Sequence, residues 1–388
     1  MDGFIPYGRQ DISQDDIDAV VEVLRSDWLT QGPTIERFER SVADYCGVKY
    51  AVAVSSATAG LHIACVASGL GKDDIFWTSP NTFVASANCG LYCGATVDFV
   101  DIDPKTYNLS IENLEIQLAQ AEQQNCLPKI LIPVHFSGQS CEMEPIVDLA
   151  QRYGFRIIED AAHGIGGFYK GQPIGSCTFS DMTILSFHPV KIITTGEGGM
   201  VLTNHQDLYE KLIRLRSHGI TRNPDLMQEA SHGSWYYQQL ELGFNYRMTD
   251  IQAALGASQM QRLEQFIQRR QYLANRYDQL LKELPLTLPW QHPDTSSSRH
   301  LYVIRLKLNQ VEQNQYQVFE TLRKAGIGVN VHYIPVHMQP YYQKIGFKKD
   351  AFPQSENYYA EAISLPIYYG LSEEDQDKVI TTLYQVIS

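Results

Sequence analysis

The sequence has no apolar run near the roughly 20 residues that a bilayer-crossing helix needs. Its apolar stretches, such as Ile130 to Val134, end after a handful of residues. No membrane partner is therefore expected. The opening residues Met1 to Pro6 carry neither a basic stretch nor an apolar one, so no secretory leader is read and a cytoplasmic protein is expected. Basic residues are also in short supply. Against 44 Asp and Glu stand 31 Lys and Arg, a formal net charge of −13. That average field repels a nucleic-acid polyanion, so no nucleic-acid partner is expected. A small anionic ligand stays admissible, because a pocket can differ in sign from the whole surface. Paired cysteines are missing as well. The seven (46, 65, 89, 93, 126, 141 and 177) are scattered and include no C-x-x-C. They read as reduced thiols, mostly small core side chains. Cys89 and Cys93 are spaced to share a helix face, but no second ligand pair accompanies them, and no metal site is expected.

What is present is ordinary globular material. Hydrophobic residues make up 44% and charged ones 19%, which excludes disorder and fibrous repeats. At about 150 residues per domain, 388 residues suggest two to three domains. Helix-period and strand-like segments alternate through the first 200 residues. Ile17, Val20, Val21 and Leu24 share a helical face after a capping Ser13. Buried strands are predicted at Tyr50 to Val54, Ala95 to Val100, Lys129 to Val134, Phe155 to Glu159, Asp181 to Phe187 and Gly199 to Thr203. Helices are predicted near 61–66, 111–123 and 144–153. This alternation argues for an α/β fold with a mostly parallel sheet covered on both faces. One long helical region is expected from about Met248 to Leu284. Beyond a Pro- and Ser-rich break (285–298) a smaller α+β segment follows. It comprises a strand at 300–306, a helix near 311–324, a strand at Gly328 to His332 and a terminal helix. The boundary is placed inside the long helix, giving a large unit 1–265 and a small unit 266–388.

Ligands of open α/β sheets bind where strands end, and three strand ends carry suitable groups. Ser55 to Gly60 places small residues between a strand and a helix. A helix start offers free N–H donors and a positive dipole end for phosphate, though plain N-capping reads the same way. Ile157 and Ile158 run into Glu159, Asp160 and His163. Adjacent carboxylates point to opposite sheet faces, so only one enters a given site. Asp160 is the candidate to hold a ring nitrogen protonated; a helix cap or surface acid is the alternative. His163 can donate to a ring oxygen or serve as a structural donor. Lys191 is hemmed in by Val190, Ile192 and Ile193. An apolar setting lowers an ammonium pKa and frees the amine to attack a carbonyl, while a lysine reaching out of a turn is the alternative. A phosphate cradle, an acid after a strand and a lysine 31 residues further on together suit a Schiff-base pyridine cofactor, pyridoxal 5′-phosphate. Phe83 follows a further strand end and can stack on such a ring, or belong to the core.

These segments, with Ser26 to Pro33, Ser186 to Gly199 and Gly243 to Gly256, resemble the sugar-nucleotide aminotransferases of the fold-type-I pyridoxal-phosphate superfamily. The likeness extends over essentially the whole chain. It implies a large domain with a mixed, mostly parallel sheet and a smaller C-terminal α+β domain. It implies that Lys191 forms the Schiff base and Asp160 pairs with the pyridine nitrogen. Ser186 and the backbone at Ala57 and Thr58 would hold the phosphate. Asn245 would reach in from a second subunit, so a homodimer with shared active sites is implied. His163 stands where many members have Gln.

Within that family the chain resembles the pseudaminic acid pathway transaminases. The segments that carry this likeness are Pro6 to Arg9, Asp27 to Thr30, Asn81 to Asn88, Ser217 to Ile220 and His332 to Pro335. The resemblance implies L-glutamate as donor, released as 2-oxoglutarate, with pyridoxamine phosphate formed in the half-reaction. The acceptor would be a UDP-4-keto-6-deoxy-sugar, a UDP-4-keto-6-deoxy-N-acetylhexosamine aminated at C4. Tyr7, Asp27, Trp28, Leu29, Thr30, Ser56, Ser186, Asn245, His332, Tyr333, Ile334 and Pro335 would line the substrate pocket. Asp27 stands where some relatives carry a basic residue. Arg247 reads equally as a contact for the donor carboxylate and as a structural ion pair. An amino-acid aminotransferase, a non-catalytic cofactor-binding sensor and a structural α/β protein are the competing readings.

Overall fold

The computed structural model describes residues 3–387. Met1 and Asp2, part of the opening segment read for a leader, lie outside them, as does Ser388. Helices α1 (Gln14–Leu24) and α2 (Pro33–Cys46) precede strand β1 (Tyr50–Val54), which feeds α3 (Ala57–Ala67). Strand β2 (Ile75–Thr78), α4 (Ala85–Tyr92), β3 (Thr96–Phe99) and α5 (Ile111–Gln124) follow. Then come β4 (Ile130–Ile132), α6 (Met143–Tyr153) and β5 (Arg156–Asp160). A hairpin of two-residue strands, β6 (Phe168–Tyr169) and β7 (Gln172–Pro173), leads to β8 (Met182–Ser186) and β9 (Gly199–Thr203). The chain continues through α7 (Gln206–Leu215), α8 (Asp250–Met260) and α9 (Leu263–Leu280).

The central sheet has seven strands in the order β1-β9-β8-β5-β4-β2-β3. All neighbours pair in parallel except β9, which runs antiparallel to both β1 and β8. The mostly parallel sheet read from the sequence is thus present. Strands β4, β8 and β9 are buried at every position, as a sheet covered on both faces requires. One face packs on a cluster built from α3, α4 and α7 residues such as Leu61, Ile63 and Leu212. On the other side Phe38, Leu185, Phe187 and Met200 join residues of α2, α8 and α9.

The C-terminal part has its own core. There Tyr302, Ile304, Ile363 and Leu383 pack with Leu273, Ala274 and Tyr277 of α9. Helix α9 changes partners along its length, since Leu263, Phe266 and Ile267 belong to the core against the large sheet. Ile5 packs into the C-terminal core, so the N-terminal arm crosses to the small unit.

Three sequence expectations are corrected. The single helix over 248–284 is two helices, broken at Gln261 and Arg262. No Gly or Pro marks the break. The Arg262 guanidinium turns instead to Asp11 (2.6 Å) and Asp16 (2.7 Å) and ties α1 to this corner. The strand over 328–332 is absent, and only isolated bridges, Ile5 to Ile327 and Asn330 to Ser364, remain. The chain leaves the sheet there and carries His332 and Tyr333 to a cavity. The strand Tyr302–Leu306 pairs instead with Ala362–Leu365. The helix expected from 311 starts at Gln315, where Asn314 and Gln317 form a capping box.

Candidate active site

A cavity of about 530 Å³ opens at the ends of β1, β5 and β8. Its floor begins at the start of α3. Ser56 caps that helix by accepting from the Ala59 N–H (3.1 Å), and the Gly60 N–H bonds the Ser56 carbonyl (3.0 Å). Among the described residues the N–H groups of Ala57 and Thr58 have no protein acceptor, and both residues line the cavity. Two free amides at a helix start, with the dipole behind them, form an anion cradle. Gly199 makes the approach possible. A Cβ there would lie 2.5 Å from the Ala57 nitrogen and 2.6 Å from the Ser56 carbonyl carbon. Ser186, the last residue of β8, pairs with Gly199 and lines the same wall.

The two carboxylates at the end of β5 separate as alternating pleats demand. Glu159 turns away and is buried with His135, Ser180 and Thr183. The Cys141 N–H donates to His135 Nδ1 (3.1 Å), which leaves Nε2 to carry the proton towards Glu159. These partners outweigh burial and hold the Glu159 carboxyl below its usual range. Asp160 enters the cavity. Its Oδ2 accepts from Ser86 Oγ and its Oδ1 from the Ala162 N–H (3.1 Å). Ser86 is fixed in turn by Thr82 Oγ1 (2.7 Å). The Asp160 side chain is thus oriented from behind.

Lys191 faces Asp160 from the loop between β8 and β9. Among the described residues its Nζ has no hydrogen-bond or ion-pair partner. Burial lowers its pKa to about 8 against the opposing pull of the Asp160 charge. Around it stand three imidazoles, His163, His300 and His332, all buried. Burial first, then the Lys191 charge among others, pushes His163 and His300 far below the ordinary histidine range. His332 falls to about 3, through burial and then Lys191. All three are neutral at pH 7. The Ser137 N–H donates to His163 Nδ1 (3.2 Å), so Nε2 carries the hydrogen and meets Tyr333 Oη at 3.1 Å. His332 Nδ1 lies 2.7 Å from Ser364 Oγ. His300 Nδ1 is buried without a partner.

Of the residues singled out from sequence, Tyr7, Ser56, Ala57, Thr58, Phe83, Asp160, His163, Ser186, Lys191, His332 and Tyr333 meet in this one cavity. Phe83 is 58% exposed, so it belongs to the cavity rim and not to the core. Ile334 and Pro335 follow Tyr333 but do not line the cavity; Ile334 faces outward and Pro335 is buried. Asp27, Trp28, Leu29 and Thr30 lie on exposed surface outside it. Asn245 is likewise exposed and away from this chain's own cavity. Arg247 bridges Val54, has no ion pair among the described residues, and lines a separate depression with Glu36 and Glu39. Sequence reading missed Ser86 and His300. Ser86 sits at the start of α4, eight residues past the end of β2, where a strand-to-helix turn would have flagged it. Nothing local marks His300.

Three comparisons bear on this cavity. Residues 10–384 match the model of the DegT/DnrJ/EryC1/StrS aminotransferase family. A spore coat polysaccharide biosynthesis protein of Bacillus subtilis, SpsC, is 39% identical over 387 residues, covering 99% of this chain and 97% of its own. A UDP-4-amino-4,6-dideoxy-N-acetyl-beta-L-altrosamine transaminase of Campylobacter jejuni is 37% identical over 384 residues, covering 99% and 97%. Spr1654 of Streptococcus pneumoniae, named as a sugar aminotransferase, superposes in its PMP form with a TM-score of 0.89. It shows 30% identity and 98% coverage of both chains. Its PLP form gives a TM-score of 0.88.

The free amides, the oriented Asp160 and the unpartnered Lys191 fit pyridoxal phosphate. The Gly199→Ala protein should therefore fold, by far-ultraviolet circular dichroism, yet hold the cofactor at least about tenfold more weakly, ~1.4 kcal/mol. Equilibrium dialysis against pyridoxal phosphate reads this out. Unchanged affinity would show that the close approach of β9 to α3 does not shape the cradle.

Proposed function

The chain belongs to the DegT/DnrJ/EryC1/StrS aminotransferase family and is a pyridoxal-phosphate-dependent sugar aminotransferase, and from that premise we propose its substrates. It moves the amino group of L-glutamate to C4 of a UDP-4-keto-6-deoxy-N-acetylhexosamine. The product is of the UDP-4-amino-4,6-dideoxy-N-acetyl-β-L-altrosamine type, made in the cytoplasm for pseudaminic acid biosynthesis. The full-length likeness to the C. jejuni transaminase supports the sugar. The chemistry is carried by one observation: an unpartnered Lys191 amine faces a fixed Asp160 beside two free helix-start amides.

Bound pyridoxal phosphate supplies an aldehyde that accepts an amino group from one substrate and a conjugated ring that withdraws electrons. The protein's own groups do the rest. The Ala57 and Thr58 amides, with Ser186, would hold the phosphate. Asp160, braced by Ser86 and Ala162, would keep a proton on the ring nitrogen. Phe83 at the rim would cover a ring face. Lys191 Nζ would be the amine that holds the group and, when free, the base and acid that moves the proton at the donor's Cα and on the acceptor. A pKa near 8 leaves about a tenth of such amines neutral at pH 7, against a few in ten thousand for an ordinary lysine. His163 and Tyr333, joined by a hydrogen bond, would present a donor to the ring oxygen.

We propose a homodimer with shared sites, and the same division into a large unit 1–265 and a small unit 266–388. Exposed Trp28 (55%), Trp235 (73%) and Leu242 (79%) supply apolar surface for a second copy. Among the described residues no arginine lines the cavity, so groups for an anionic diphosphate and a donor carboxylate come from elsewhere. Asn245 and the Asp27–Thr30 segment, exposed and outside their own cavity, are the candidates to enter the partner's.

A second reading, amination of a different nucleotide sugar, rests on the 39% identity to SpsC. Incubation with L-glutamate and a panel of UDP-4-keto-6-deoxy-hexoses, followed by NMR of the products, separates the two. The altrosamine-type amine is expected; a different amino sugar supports the second reading, and transfer only to keto acids removes both. For Lys191, cyanoborohydride trapping of pyridoxal phosphate on the apoprotein should quicken about tenfold per pH unit up to about pH 8 and then level off, because only the neutral amine reacts. A rate still climbing at pH 10 would contradict the lowered pKa, and label on another peptide would contradict the role. Shared sites predict that inactive Lys191→Ala and Asn245→Ala proteins, mixed and reassociated, regain about a quarter of wild-type activity through hybrid dimers. No recovery, with mixing shown by mass, would place Asn245 outside its partner's site.

A further inference from the structure

We propose that His62 is a positioning residue for the site of the partner subunit, where it acts by fixing the direction of the Asn245 that its own chain lends; this rests on the shared sites proposed above. Residues 244–249 run as an extended strip, tied by isolated bridges at alternate positions: Asn245 to Ser217, Arg247 to Val54 and Thr249 to Thr30. Both backbone edges are occupied. The Phe244 and Tyr246 N–H groups donate to the Leu215 and Arg216 carbonyls (2.7 and 3.0 Å), and their own carbonyls accept from the His218 and Ser55 N–H groups (2.8 Å each). In extended backbone, successive side chains point to opposite sides. Phe244 and Tyr246 accordingly stack on one side, with centroids 5.0 Å apart and planes 13° off parallel, and Asn245 is left exposed on the other.

His62 fixes the inner side of that strip. It lies on α3, about a turn and a half past Ala57, and is itself buried. Its ring packs on Phe244 (centroids 4.7 Å apart) and on Tyr246 (5.9 Å), and its Nδ1 lies 3.2 Å from Tyr246 Oη. Tyr92, the last residue of α4, meets the same imidazole edge-to-face at 5.4 Å. One imidazole therefore touches both neighbours of Asn245 and holds one of them by a polar contact. Its own neighbours Leu61, Ile63 and Ala64 are apolar core, so packing alone does not call for a ring nitrogen at this position.

Helix α3 then serves two sites. Its first turn presents Ala57 and Thr58 to the cavity of its own chain, and His62 sets the residue that reaches into the other. His62 does not line the cavity, so its loss acts through geometry. A displacement of about 1 Å at a contacting group can cost about a hundredfold in rate.

The two duties of α3 separate in mixed dimers. The readout is the absorbance change of the bound cofactor when holoenzyme meets L-glutamate in a single turnover. His62→Ala, with its fold checked by far-ultraviolet circular dichroism, should react at least about tenfold more slowly. Mixed with Lys191→Ala and reassociated, it should regain a phase at the wild-type rate with about a quarter of the wild-type amplitude. In each hybrid, the chain with the intact lysine then receives an Asn245 whose own His62 is present. A role of His62 in its own chain's site predicts no such phase, because the lysine and the altered α3 stay together. Should His62→Ala not fold, Tyr246→Phe, which keeps the ring stack and removes only the hydroxyl, decides instead: a loss of about threefold with the same recovery is expected. An unchanged rate, or slowing without recovery while the Asn245→Ala mixture recovers, would overturn the proposal and leave shared sites standing. No recovery in either mixture, with hybrids shown by mass, would remove both.

Discussion

An amine set deep in a cleft, poorly solvated and without a partner, is the constraint from which the rest of this structure follows. Lys191 can stay unpaired only because its loop lies between two buried strands and its surroundings cannot solvate an ammonium well. The same dryness strips the charge from His163, His300 and His332, so these imidazoles do not compete with Lys191 as cations. Asp160 supplies the single strong counter-charge. If it were closer, the lysine would be locked as an ion pair; farther away, nothing would hold a proton opposite. Its position is therefore worth the small relay of Thr82, Ser86 and the Ala162 amide that fixes it.

The sheet explains why these groups arrive together. Strand β5 carries Glu159 and Asp160 on opposite faces, and each face has a different use for its acid. Glu159 becomes a structural ion partner of His135, holding β5 to the turn after β4. Asp160 is left facing the cavity. Strand β9, antiparallel in an otherwise parallel sheet, brings Gly199 back against the start of α3, and its lack of a side chain opens the amides of Ala57 and Thr58. One reversed strand thereby places the lysine loop and the anion cradle on the same wall.

Much of this was legible in the residues. Continuous apolar runs such as Tyr50–Val54 and Gly199–Thr203 mark strands buried on both faces. Ser56 before a run of small residues marks a helix start, and a lysine among Val190, Ile192 and Ile193 is anomalous enough to single out. What was not legible depended on contacts remote in sequence. The break at Arg262 is made by Asp11 and Asp16, some 250 residues away, and no local residue signals it. The segment 328–332 has strand-like composition, but Gly328 is pinned by Ile5 and the chain then turns to deliver His332 and Tyr333. His300 is a cavity residue only because Arg270, buried on α9, binds the Arg299, His300 and Ile367 carbonyls and draws that strand start inward. The pairing of His163 with Tyr333 joins residues 170 apart, which no short motif can encode.

The segment that carries Asn245 ties the two halves of the proposed dimer to one point of the fold. Its backbone is anchored at the end of β1, where Arg247 bridges Val54 and the Tyr246 carbonyl accepts from the Ser55 N–H (2.8 Å). Ser55 lies directly before the Ser56 cap of α3. The same strand end that sets the phosphate cradle of one site therefore sets the outward reach of the residue proposed to complete the other. A shift at this junction would alter both sites together. That coupling gives a physical reason for sharing: a wall with a helix dipole of about half a charge, one lysine and three neutral imidazoles is short of positive charge for an anionic sugar nucleotide. The proposed second copy, rooted at the same strand end, would supply what is missing.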